Sequence, residues 1–501
     1  MALESDFDKL SAEELMDELS LLIWLLGYLV LLYGLARWRS RKASNQDFFV
    51  GGRQSSWLMV AFGMIGTSLS GVTFISVPGS VGTIGFSYLQ IVLGHFLGYA
   101  VVAFILIPIY YREGKVSIYA WIESRVGLWG SRMASVLFIV ARTLGASARL
   151  YLVLRVLQDL VFGPLGLAFE LSSLLIVVLI LLYTQHGGVK TIVFTDCLQT
   201  ATMLAGLICC LVIVLKSMNL SPLAFWREAA SMGLTRLWGV DPQASDHWIK
   251  QILAGAAIAL AMTGMDQEMM QKTLSVAKLK DAQKNMMLLA LCMQVVVFVF
   301  LLLGAALSMF ALKQGITAQG DRLFPFIVMT SMPEWLQVVF LIALVSALLP
   351  SADGALTALT SSVCHDLLGF ERGKVLPEQS RQIIRLRVHL AFAILLLGFV
   401  WVFRYMDQAS MVLLILKLAA FTYGPLMGLF LFAALSKQAL AAGQVVLACG
   451  LSIVLSLTID YFQATWFETW RIGLEILVIN ALICTSFLFV FTKKSFSQSG
   501  T

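Results

Sequence analysis

Thirteen stretches of about twenty mostly apolar residues, centred near positions 29, 67, 98, 145, 178, 203, 258, 299, 348, 395, 423, 451 and 481, confine this chain to a membrane. At 1.5 Å per residue such a stretch spans the hydrocarbon core of a bilayer as a helix. Lipid offers the backbone no hydrogen bonds, so each stretch must satisfy its own amides internally. Only 13% of the residues are charged, against roughly 25% in soluble domains. The fold class expected is therefore an all-α integral membrane protein with about 13 transmembrane helices.

Several function classes drop out. The net charge of +6 has no soluble basic domain to carry it, so no nucleic-acid partner is expected. The longest stretches between apolar runs, about 217–247 and 313–334, contain Trp, Phe and Pro, read as ordered caps and have no room for a catalytic domain. The five histidines (His95, His186, His247, His365, His389) are scattered, with no nucleophile–base constellation, so the chain is read as not an enzyme. The seven cysteines fall in apolar runs without a CxxC pair and read as small apolar fillers. The acidic opening "MALESDFDKLSAEELMDELS" lacks the basic region of a signal peptide, so the first run is expected to be retained.

Basic residues set the orientation. Most lie in the odd-numbered connections, among them "RWRSRK" (37–42), "YREGK" (111–115), "KTLSVAKLKDAQK" (272–284) and the stretch from "ERGK" (371–374) to Arg387, with "KK" at 493–494. The positive-inside rule then places the N-terminus outside and the C-terminus in the cytoplasm, as an odd number of spans requires. The domains expected are an extracytoplasmic segment 1–19, a transporter domain 20–492 and a cytoplasmic tail 493–501. The short connections and the absence of a targeting peptide suggest the plasma membrane of a bacterium.

Spans two and seven are the most interrupted. The second carries Gly66, Thr67, Ser68, Ser70, Gly71 and Thr73 at its centre, and the seventh has Thr263 and Gly264 followed by Asp266 and Glu268. They lie five spans apart and start in opposite directions. That pattern fits a five-plus-five inverted repeat with two discontinuous helices, the core repeats covering about 54–216 and 248–435. Close packing through small residues is the plainer alternative.

Few other ionisable residues lie within the spans. They are Asp196, Arg142, Arg149, Lys417 and Asp353. Charges inside a bilayer are expensive and mark function by default, although each here can pair with another for structure alone. Arg142 sits roughly 16 Å into its span, at a depth suited to a substrate carboxylate. Arg149, seven residues on and on the same face, is near enough to the outer interface to snorkel. Asp353 follows Pro350 and Ser351, and hydroxyl, carbonyl and carboxylate oxygens are hard ligands of the kind Na⁺ prefers. Pro350 removes an amide donor and loosens the turn before it.

Four motifs in order resemble the sodium:solute symporter family. They are "GGR" (51–53) with Trp57, "HGGVKTIVFTDCLQ" (186–199), "TGMDQEMMQK" (263–272) and "SADGALTALTSSVCHDLL" (351–368). The resemblance covers about residues 20–490 and implies a core of spans two to eleven, coupled to Na⁺. It implies a main Na⁺ site at Gly66, Leu69, Ala347, Pro350 and Ser351. Pro350 departs from the family, where a hydroxyl is usual, leaving Ser351 as the one side-chain ligand of the pair. A second cation site is implied at Asp196 and Asp353, the latter a carboxylate where the sialic acid symporters of that family have serine. Ser70, Thr73 and Arg142 match the solute pocket, and Thr263 is placed with them as substrate-binding; the glutamine expected in span three falls on Val92, with Gln90 nearby.

The function expected is sodium-coupled symport, by alternating access, of a small organic anion or zwitterion bearing a carboxylate. The partners expected are that solute, the sodium ion and the lipid bilayer, with no obligate protein partner. Proton coupling through Asp353 or Asp196 on the same fold is the alternative, and a transport-inactive solute sensor is a third reading.

Overall fold

The computed structural model of the chain describes residues 12–40, 49, 51–370, 377–406 and 411–498. Residues 1–11 of the N-terminal segment, 499–501 of the tail and the basic positions 41–42 and 371–374 lie outside these. Among the described residues the main helices are α1 (Ala12–Ser40), α2 (Trp57–Ser68), α3 (Gly71–Ile84), α4 (Tyr88–Glu113), α5 (Ala120–Val126), α6 (Leu128–Phe162), α7 (Phe169–Ser217), α8 (Pro222–Ser231), α9 (Trp248–Gly264), α10 (Gln267–Leu274), α11 (Leu279–Gln314), α12 (Leu323–Ser331), α13 (Glu334–Leu367), α14 (Glu378–Arg404), α15 (Met411–Leu435), α16 (Ala442–Trp466) and α17 (Ile476–Gln498).

These elements correspond to the thirteen apolar stretches. Among the described residues nine helices are long and apolar enough to cross a bilayer, or eleven when each bent pair (α2 with α3, α9 with α10) is taken as one broken span, and two shorter apolar helices (Phe169–Leu182, Ile476–Thr492) occupy the two remaining stretches. α7 holds two spans, divided at Gly188, whose φ of 51° and ψ of −150° lie outside the helical region. Its φ sits on the left-handed side that glycine tolerates.

The halves exchange their contacts as an inverted repeat requires. The first broken pair packs on α11, and α9 of the second packs on α4; α6 packs on α15 as α13 packs on α7. α13 and α15 are the most buried spans, while α1 and α16 are among the least. Glycine permits the tightest crossing. A Cβ on Gly94 would meet the Ile252 carbonyl, and one on Gly255 would meet that of Ile91, so α4 and α9 touch backbone to backbone.

Candidate functional site

The two breaks are built differently. Between α2 and α3 the chain leaves the helix at Leu69 (φ −96°, ψ 57°) and Ser70 (φ −51°, ψ 170°), and the axis bends by 57°. Helix ends leave carbonyls without intrahelical partners. The second break bends by 62° at Met265 and Asp266. There the Asp266 carboxylate caps α10, accepting from the Glu268 amide at 2.9 Å and the Met269 amide at 3.2 Å. Its freed carbonyls are taken by tyrosines: Tyr110 donates to Gly264 at 2.7 Å and Tyr119 to Met265 at 3.1 Å.

The first break lies against α13. A Cβ on Gly66 would stand 3.6 Å from Pro350 Cγ, and one on Gly71 3.7 Å from Leu348 Cα. This brings Gly66 beside Pro350, with Leu69, Ala347 and Ser351 buried around them. α13 continues as a helix through Pro350. Ser351 Oγ donates to the Leu348 carbonyl at 2.8 Å, the helix back-bond open to any helical serine, which leaves its lone pairs to accept or coordinate. Backbone carbonyls and a hydroxyl are hard oxygen donors of the kind that suits a small cation.

Beside it runs a buried ionic chain. Lys272 Nζ donates to Asp196 Oδ2 at 2.8 Å and to Thr67 Oγ1 at 2.7 Å, and lies 3.4 Å from Glu268 Oε1. Arg142 pairs with Glu268 through Nη2, and its Nη1 lies 3.7 Å from Asp266, which also accepts from the Tyr423 hydroxyl at 2.7 Å. Asp353 accepts from the Gly354 amide at 2.5 Å. Gly354 makes room for this arrangement, since a Cβ there would run into Glu268 Oε1 and stand 3.0 Å from Lys272 Nζ. Asp196, Asp266, Glu268 and Asp353 are each at most 2% exposed, and face two buried cations. Arg149, farther along α6, also interacts with Asp266 and Glu268, so with all of these groups ionised the centre carries an excess of one negative charge.

The expected site residues are all buried, but not all are poised as the sequence suggests. Arg142, expected to await a carboxylate, already holds Glu268. The cation facing Asp196 is Lys272, and among the described residues no three Asp, Glu, His or Cys side chains are grouped to hold a metal. Gln90 donates its amide to the Leu237 carbonyl of the loop before α9, and its Oε1 has no hydrogen-bond partner. Ser70 caps α3 without a side-chain bond; Thr73 and Thr263 are buried nearby in their helices. Lys417 pairs with Asp460 of α16 at 2.7 Å, more than half exposed, outside the core.

Sequence reasoning passed over Glu268 and Lys272 as site residues, although their spacing of four places them on one helix face. Tyr423 had no signal beyond its residue type, and Thr67 stood out only as one of the hydroxyls that interrupt the second span. The seven cysteines form no disulfide, and four of them are buried.

Comparison with known proteins bears on this geometry. A model of the sodium:solute symporter family matches residues 48–448. A putative sodium-dependent multivitamin transporter of Drosophila melanogaster is 27% identical over 246 residues, 48% of this chain and 40% of that one. The sodium/iodide cotransporter of Homo sapiens is 25% identical over 67% of this chain and 52% of its own. The sodium/sialic acid symporter of Proteus mirabilis is 22% identical over 87% and 88%. The chain thus spans about half or less of the length of the first two and most of the third. A substrate-bound, outward-open Na⁺-coupled sialic acid symporter superposes with a TM-score of 0.81 at 18% identity, over 94% of this chain and 97% of that one, which establishes a shared fold.

Proposed function

Because the chain belongs to the sodium:solute symporter family, we propose that it is a sodium-coupled symporter of a small organic solute bearing a carboxylate, working by alternating access. The observation that carries this reading is the negative excess buried around the two breaks. Unpaired charge is costly in a low-dielectric interior, and a cation entering beside it lowers that cost.

Sodium binds between the first break and α13, at the carbonyls of Gly66, Leu69 and Ala347 and the hydroxyl of Ser351, with Pro350 lining the site. Solute binds beyond the break, beside Ser70, Thr73, Thr263 and the Oε1 of Gln90, and engages Arg142. A simple anion taking Arg142 would leave Glu268 with Lys272 alone, at 3.4 Å. A zwitterion gives each charge a partner, its carboxylate on Arg142 and its cationic group on Glu268, and so favours the exchange. Of the two solute classes expected, the zwitterion fits better. Na⁺ and solute each raise the other's affinity by one factor, as linkage demands. The N-terminus lies outside and the C-terminus in the cytoplasm of a plasma membrane.

Thermal stabilisation of the purified chain by amino acids, betaines, monocarboxylates, sialic acids and neutral sugars, each in Na⁺ or K⁺, tests this. The expected hit carries a carboxylate and needs Na⁺. A neutral sugar, or a hit indifferent to Na⁺, overturns it. Uptake into vesicles that persists without Na⁺ and collapses with a protonophore would replace sodium by protons, with Asp353 or Asp196 as the carrier.

A further inference from the structure

Pro350 stands where the family resemblance implies a side-chain hydroxyl for the sodium site proposed above, and a hydroxyl from another helix lies against the same glycine, Gly66. Thr200 lies on α7, one turn beyond Asp196. A Cβ on Gly66 would stand 3.5 Å from Thr200 Cβ and 3.6 Å from Pro350 Cγ, with Thr200 Oγ1 nearer than either. The threonine and the proline ring therefore border one point, next to a backbone the sodium site uses.

Thr200 is fully buried, and its Oγ1 makes no hydrogen bond. A threonine in a helix ordinarily donates to the carbonyl three or four residues back, as Thr195 does to Ile192 at 3.1 Å and Thr202 to Leu198 at 2.9 Å in the same helix. Thr200, between them, does not. A buried hydroxyl without a partner costs free energy, and an oxygen aimed at a cation recovers it. Gly66 keeps the approach open, since any side chain there would meet Thr200 Oγ1.

We propose that Thr200 is a ligand of the sodium ion, its hydroxyl oxygen supplying from α7 what Pro350 withholds from α13. This rests on the sodium-coupled reading above. The site then spans three elements instead of two: the first break, α13 and α7. Because α7 also carries Asp196, sodium binding is joined by one helical turn to the Lys272 ion pair.

The test measures Na⁺-induced thermal stabilisation of the full chain without solute, at constant total NaCl plus KCl, for wild type, Thr200→Val, Thr200→Ser and Thr200→Val with Pro350→Ser. Val keeps the shape and removes the oxygen. We expect T200V to raise the half-saturating Na⁺ concentration roughly tenfold, as loss of one charge-assisted contact does. T200S should stay within about twofold of wild type, and P350S should restore most of what T200V loses, by returning a hydroxyl to α13. A sodium-responsive wild type with an unshifted T200V overturns the proposal. If T200V does not fold, Thr200→Ala carries the same expectation and the same refutation. A wild type that ignores Na⁺ overturns the sodium-coupled reading itself, which separates the two failures.

Discussion

Lys272 Nζ lies 2.8 Å from Asp196 Oδ2 and ties the helix after the second break to the helix beside the first. Both side chains are almost wholly buried, so the pair has exchanged its hydration shells for this contact, a hydrogen bond from Lys272 to Thr67 and the approach of Lys272 to Glu268 at 3.4 Å. Such a pair adds little net stability, yet leaving one half of it unpaired is severe.

Lys272→Met should therefore destabilise the chain by about 3–5 kcal/mol, whereas Lys272→Met with Asp196→Asn should recover most of that loss. Unfolding in detergent reads both. A double variant as unstable as the single one would show that Asp196 is not the partner whose charge matters.

Glu268→Gln should change which solute binds. Arg142 loses its fixed counter-ion and becomes open to simple anions, while a zwitterion loses the partner for its cationic group. Stabilisation by a monocarboxylate should rise and that by the matching amino acid should fall, each severalfold. An unaltered ratio between the two would remove Glu268 from the pocket. Arg142→Gln should abolish stabilisation by any carboxylate and leave that by Na⁺ within about twofold of wild type, because Arg142 is no part of the sodium site.

Ser351→Ala should raise the half-saturating Na⁺ concentration roughly tenfold without unfolding the protein. Its hydroxyl serves α13 only through the bond to Leu348, and a neutral hydrogen bond contributes about 1 kcal/mol. A titration indistinguishable from wild type would exclude Ser351 as a ligand.

Gly255→Ala should destabilise by about 1–3 kcal/mol, because the new methyl meets the backbone of Ile91, which cannot turn aside. Gly27→Ala, in a helix with open space around it, is expected to be neutral or stabilising. Melting temperatures compare the two directly, and equal shifts would mean that α4 and α9 part more easily than their contact implies.

The membrane-crossing helices and the two breaks were legible in the sequence. Each follows from local composition: long apolar runs must become helices in lipid, and Ser, Gly and Thr at the centre of a span weaken it there. Asp196, Arg142 and Asp353 stood out because an ionisable residue in an apolar run is conspicuous alone. What each of them touches was not legible. Arg142 was read as lying at a depth suited to a substrate carboxylate and is held by Glu268, a residue set beside it only by the path of α10 after the second break. Asp196 meets Lys272, 76 positions away, and Thr200 meets Gly66 across two helices. A hydropathy pattern reports how each segment meets the solvent, one residue at a time. Partnership between charges depends on the rotation and depth of helices against one another. Those are set by packing at points such as Gly255 on Ile91 and Gly66 on Pro350, and so only the folded chain decided them.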